Sequence, residues 1–272
     1  MTNSTSIGLT IYGPEVAKAG LSRSLDSFIG NHTGLMIEER FLVLHSAQSI
    51  FQFYSLTDST SGAHWPLVED LFDMRPACVT LWRGENALNS LQKIKGATQP
   101  ANALSGTIRS LFWCDNAVTN LLHVSDAPEL MQAELKMLRP LSLAFSQSAW
   151  DAQKISTKNI WPHSSLASLL SLLITARDEP YDIGPGLPIS GAAIESAQIW
   201  IAAARRLNAN KDDRLSEATQ NYLNGELQGF EQLMQATGPV SAWTRLVLKA
   251  GISSNKIWSS MQMDMTKKKV NS

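Results

Sequence analysis

The chain has 272 residues, 44% hydrophobic and 17% charged, with a net charge of −1 at neutral pH. This is enough chain for one large domain or two small ones with a real core, and its near-neutral charge gives no electrostatic case for nucleic acid as a partner. Two cysteines without a C-x-x-C pair suggest no metal site and fit a reducing compartment; with no secretory signal in M-T-N-S-T-S and only a short, serine-interrupted apolar run at 165–176, a cytoplasmic protein with no membrane span is expected.

In chain order, Ile7–Tyr12 reads as a first strand. Pro14 then opens a helix with an apolar stripe at Leu21, Leu25 and Phe28, closed by a turn at 31–34. Leu35–Leu44 is strand-like, and Ala47–Leu56 and Trp65–Phe72 are helical, with the loop D-S-T-S-G between them. Pro76–Trp82 is a buried strand, Glu85–Ile94 a helix, Gln99–Gly106 a loop and Val118–His123 a last strand. Pro128–Leu138 is a helix, with Ser125 or Asp126 as its expected cap. This order reduces to β-α-β-β-α-β, the ferredoxin-like antiparallel plan of an α+β domain. From Leu141 strand-like runs disappear; Ser164–Arg177, Gly191–Leu207, Asp213–Ala236 and Val240–Ala250 have helical spacing, and Asp178–Pro188 is a Pro- and Gly-rich connector. The expected domains are 5–140, ferredoxin-like, and 141–272, all-α. Trp150, Trp161, Trp200, Trp243 and Trp258 are expected to be core or interface anchors in the second.

One histidine stands out for chemistry. His123 ends an apolar run and precedes a helix start, a position suited to meeting an anion. Glu134 follows eleven residues later, about three helical turns, so a helix folding back can bring its carboxylate to the imidazole. A carboxylate on one ring nitrogen fixes the tautomer and leaves the other as a nucleophile. A partly buried structural ring is the alternative reading of the same pattern.

The segment N-L-L-H-V-S-D (120–126), preceded by G-T-I-R (106–109), resembles the N-I-I-H-G-S-D active-site segment of nucleoside diphosphate kinases. W-R-G-E-N-A (82–87), A-T-Q-P-A (97–101) and G-P-E-V-A-K-A-G-L (13–21) resemble that family's W-x-G-x-N-A, x-T-N-P-A and K-P-D-G-V-x-R-G-L. The resemblance covers about 7–138. It implies a phosphotransferase in which His123 carries a phosphoryl group, oriented by Glu134. It further implies that Arg109, Asn120, Thr98, Tyr54 and Ser125 bind the nucleotide, that His64 or Trp65 stacks on its base, and that the phosphates lie between His123 and Arg109. Mg²⁺ with a nucleoside di- or triphosphate and a homo-oligomeric state are implied as well. Two departures weaken the site: the family lysine falls on Gly13, and an arginine falls on Gln92, with Lys93 adjacent. Losing such preorganised cations suggests weakened turnover. The alternative function is a nucleotide-binding regulatory or structural module without kinase turnover.

Overall fold

A computed structural model of the chain describes residues 5–156, 159, 161–179, 193–209, 211 and 213–270. The start of the M-T-N-S-T-S segment and most of the Asp178–Pro188 connector lie outside them. Two compact units divide the chain. One comprises Met1–Gly96, Thr107–Arg109 and Asn120–Ser156; the other comprises Ala97–Gly106, Ser110–Thr119 and Thr157–Ser272. This division differs from a boundary at residue 140, because two loops of the first half belong to the second unit and residues 141–156 to the first.

The first unit is built on β1 (Thr5–Tyr12), β2 (Met36–Leu44), β3 (Pro76–Glu85), β4 (Leu122–Val124) and β5 (Ser142–Ala144). Their order in the sheet is β4-β1-β3-β2-β5 and every pairing is antiparallel. The order 4-1-3-2 is the ferredoxin-like plan, extended by one edge strand. That strand is three exposed residues, too short for any period to mark it in the sequence.

Helices α1 (Pro14–Ala19) and α2 (Ser22–Thr33) replace the single helix expected after Pro14. Gly20, left-handed at φ +68°, breaks the run. The expected turn at 31–34 is helical through Thr33. Next come α3 (Ala47–Ser55), α4 (Trp65–Phe72), α5 (Ala87–Lys95), the short α6 (Ile108–Leu111), α7 (Pro128–Leu138) and α8 (Gln147–Asp151). Helix α5 lies close on β1: a Cβ on Gly8 would meet Leu91 Cδ1 at 2.7 Å and the Ala87 backbone at 3.0 Å. The glycine thus lets the helix approach the strand beside the one that carries His123. Trp150, expected among the helices of the second half, is fully buried in this unit and donates its indole N–H to Ser22.

The second unit is all helical in its C-terminal part: α9 (Ser165–Arg177), α10 (Ala193–Leu207), α11 (Arg214–Leu223), α12 (Leu227–Ala236) and α13 (Ala242–Val270). The stretch expected as one helix over 213–236 is two, parted at Gly225, whose φ of +80° ends α11. Leu169, Leu173, Ile201, Leu223, Leu233 and Trp258 form the centre of its core. The two borrowed loops join this core. Trp113 stacks on Trp200 with ring centroids 6.3 Å apart, and Ala101 packs against the same cluster. No helix among the described residues is long and apolar enough to cross a membrane.

A buried carboxylate pins one of these loops. Asp115, fully buried, accepts from Ser164 Oγ (2.7 Å), Ser165 Oγ (3.1 Å) and the Ser165 and Leu166 amides (3.0 and 2.7 Å) at the start of α9. It is held by dipoles and helix amides rather than by a cation. Removing it strands several buried donors, so Asp115→Ala should lower stability by roughly 3 kcal/mol or more in urea unfolding. Asp151→Ala, which breaks an exposed ion pair with Arg23, should cost within about 0.5 kcal/mol. Equal costs would contradict the role of Asp115.

Candidate active site

The expected strand over 118–123 is interrupted. Val118 and Thr119 are held in a turn by Asn116, whose Oδ1 accepts from both amides (3.0 and 2.9 Å). Leu121 then takes a left-handed conformation at φ +74°, which no strand residue adopts. Only Leu122–Val124 pair with β1, and His123 stands opposite Ile11. A left-handed leucine costs on the order of 1–2 kcal/mol. Its surroundings hold it there: the Leu121 amide donates to Glu15 Oε1 (2.8 Å), and the Leu121 carbonyl accepts from the Gly13 amide (3.1 Å). Arg109 closes the turn from the other side. Its guanidinium donates to the carbonyls of Gly96 (3.1 Å), Asn120 (3.2 Å) and Leu122 (2.8 Å), and to Asn120 Oδ1 (3.2 Å).

This turn delivers His123 to its carboxylate. Nε2 lies 2.8 Å from Glu134 Oε1 on α7. Glu134 is buried, and its second oxygen accepts from the fully buried Ser125 hydroxyl. The carboxylate thus holds one ring nitrogen and is held in turn. Nδ1 makes no hydrogen bond among the described residues. Phe53 and Tyr54 of α3 stand edge-on to the imidazole, with centroids 5.3 and 6.4 Å away. Burial raises the Tyr54 pKa, with the negative charge of Glu15 as the next cause.

Several expected roles change. Arg109 is buried and donates to main-chain oxygens of the turn, which it thereby positions. Asn120 is its partner in that clamp. Ser125 neither caps α7 nor lies open to a nucleotide; its hydroxyl orients Glu134, and the N-cap of α7 is Ala127 without a side-chain bond. Asp126 accepts from Gln92 Nε2 at 3.0 Å instead of capping. Trp65 is buried between Phe51 and Tyr54, with centroids at 5.8 and 5.5 Å, so it packs α4 on α3 and offers no face to a base. His64, half-buried, is the more open ring of that pair. Thr98 is exposed and belongs to the second unit.

Two features went unread in the sequence. Glu15 is buried, with Oε2 unpartnered and its carboxylate folded over Gly13, where the family lysine would stand. A Cβ at Gly13 would fall well inside van der Waals contact of that carboxylate. The small residue at 13 and the inward Glu15 are therefore one feature. The second is Lys95, on the face of α5 that carries Gln92. Gln92 ties the β4–α7 connection, donating to the carbonyls of Val124 (3.1 Å) and Ser125 (2.5 Å).

Burial raises the Glu15 carboxyl to about 7 against hydrogen bonds and the nearby Arg109 charge, which lower it. An unfolded glutamate ionises near 4.5. Between these values the folded chain holds a proton that the unfolded chain has released, so stability falls as pH rises through this window. The difference amounts to about 3 kcal/mol. Glu15→Gln should remove this decline, so the variant should gain stability over the parent at pH 8 and match it near pH 4. Parallel stability–pH curves for the two chains would contradict a buried, protonated Glu15.

A model of the family described as nucleoside diphosphate kinase matches residues 9–141. The chain is 32% identical over 130 residues to a nucleoside diphosphate kinase of Ehrlichia chaffeensis, covering 47% of this chain and 87% of that one. It is 38% identical over 73 residues to one from Symbiobacterium thermophilum, where the match covers 27% of this chain and about half, 48%, of the relative. Among solved structures, a halophilic nucleoside diphosphate kinase from Halobacterium salinarum in complex with CDP is similar at a TM-score of 0.45 and 18% identity, covering 54% of this chain and 99% of that one. Over its first half, this chain belongs to the nucleoside diphosphate kinase family.

Proposed function

We propose that the chain transfers phosphoryl groups between nucleotides through a phosphohistidine at His123. The observation that carries the proposal is the line Ser125–Glu134–His123, which engages Nε2 and leaves Nδ1 open. The Nδ1 lone pair attacks the γ-phosphorus of a nucleoside triphosphate. A P–N bond forms, the bond from phosphorus to the β,γ-bridging oxygen breaks, and its electron pair leaves with the diphosphate. In the return half, a β-phosphate oxygen of a second nucleoside diphosphate attacks the phosphorus, and the P–N electron pair returns to Nδ1. The Nε2 proton stays between the ring and Glu134 throughout. The carboxylate opposes the positive charge that builds on the imidazole.

No group of three or more His, Cys, Asp or Glu among the described residues could hold a metal ion. Magnesium therefore enters in this proposal with the nucleotide, bound to its phosphates, and the protein need not ligate it. With Gly13 and Gln92 in place of two cations, turnover is expected to be slow, since one preorganised charged donor contributes on the order of 100-fold. We also read the chain as a cytoplasmic homo-oligomer. Its two cysteines are free and buried, and a monomer mass in light scattering at micromolar concentration would contradict the oligomer.

A second reading, nucleotide binding without turnover, is favoured by the Glu15 carboxylate over Gly13 and by the inward donors of Arg109. The two separate in one experiment. Incubated with γ-labelled ATP, the full chain should take up label that is lost in acid and survives alkali, and His123→Ala should take up none. A nucleotide-dependent rise in melting temperature with no label would select the second reading.

A further inference from the structure

Lys95 is the last residue of α5, three positions after Gln92 and on the same face. Lys93, adjacent to Gln92, is exposed. The Lys95 side chain is only 14% exposed, yet its nearest anion is Asp126 Oδ1 at 3.8 Å, beyond hydrogen-bond length. That oxygen already accepts from Gln92. Among the described residues the ammonium makes no hydrogen bond, so three donors stand open on a largely buried cation. Burial and the neighbouring Arg109 lower its pKa, while Asp126 and Glu134 raise it. Two of these groups hold the histidine in place: Glu134 bonds its Nε2, and Arg109 clamps the turn before it. A lysine in the last turn also suits the helix dipole, a gain below about 1 kcal/mol. The dipole alone accounts for neither the burial nor the open donors, whereas an anion between Lys95 and His123 accounts for both.

We propose that Lys95 is the phosphate-binding cation of this site, holding the terminal phosphate of a nucleoside di- or triphosphate from the half-buried end of α5. It would take over, from a new position, the charge that Gly13 and Gln92 do not supply. The proposal deepens the phosphoryl-transfer reading and rests on it for the identity of the ligand. Lys95 is a point charge rather than a planar fork, so it can follow a phosphate through transfer without a fixed two-point geometry.

The test uses the full chain with MgADP and MgATP, reading affinity from melting-temperature titrations and transfer from the rate of labelling at His123. Lys95→Ala should weaken both nucleotides at least tenfold and slow labelling at least tenfold, whereas Lys95→Arg should stay within about threefold of the parent. Asp126→Asn, which removes the ion-pair partner and keeps the cation, should bind nucleotide as well as the parent or better. If Asp126→Asn loses as much affinity as Lys95→Ala, Lys95 is a structural partner of the β4–α7 connection and the proposal falls. A labelled parent whose Lys95→Ala variant binds and labels unchanged overturns Lys95 while leaving His123 in place. A parent that binds MgADP through Lys95 yet never takes up label overturns the transfer chemistry and supports the phosphate site. A parent that neither binds nor labels overturns both.

Discussion

The left-handed turn at Leu121 is the constraint on which the site depends. It confines the strand to three residues against β1, and His123 meets Glu134 from there. The conformation is unfavourable for leucine by itself. The Glu15 carboxylate, the Gly13 amide and the Arg109 guanidinium hold it from three directions. Hydrogen bonds to a charged group such as the Arg109 guanidinium contribute roughly 1.5–3 kcal/mol each, enough to offset the strain. Glu15 and Arg109 are thereby committed to the turn that leads into His123.

That commitment changes the electrostatics. A phosphoryl-transfer site needs fixed positive charge where the phosphates sit. Here one expected cation is a glycine with a buried carboxylate folded over it, another is a glutamine tying down the β4–α7 connection, and a third, Arg109, is turned inward. The relay behind the histidine is complete while the charge in front of it is thin. Glu15 carries a proton across much of the acidic range, which limits the penalty it would impose on a phosphate below about pH 7. Above that, the ionised carboxylate would oppose a phosphate beside Gly13. The site is thus expected to favour anions at mildly acidic pH, with Lys95 as the cation of the β4–α7 side.

Much of this was legible in the sequence, for physical reasons. Trp65–Phe72 and Pro128–Leu138 were read with the bounds they have, because proline near the first turn and a regular apolar stripe mark a helix locally. The His123–Glu134 pairing followed from helical spacing and resemblance together. What was misread depends on tertiary context. No periodicity reveals that 118–121 leaves the strand, since Leu121 is apolar and strand-compatible until Glu15 takes its amide and Arg109 the carbonyls of its neighbours. The inward hydrogen bonds of Arg109 and Ser125 also depend on packing, because side-chain type gives capability and only packing gives direction. Lys95 carries no mark in the sequence, because a lysine near a helix end is usually solvated and only the fold shows this one buried.

The central claim is that His123 passes on what it accepts. The most direct measurement is to load the full chain with label from γ-labelled ATP, remove free nucleotide, and add unlabelled GDP. The account predicts that label leaves the protein and appears as the γ-phosphate of GTP, slowly but completely. Label that stays on the chain, or never reaches it under conditions where nucleotide binds, would contradict phosphoryl transfer as the function of this site.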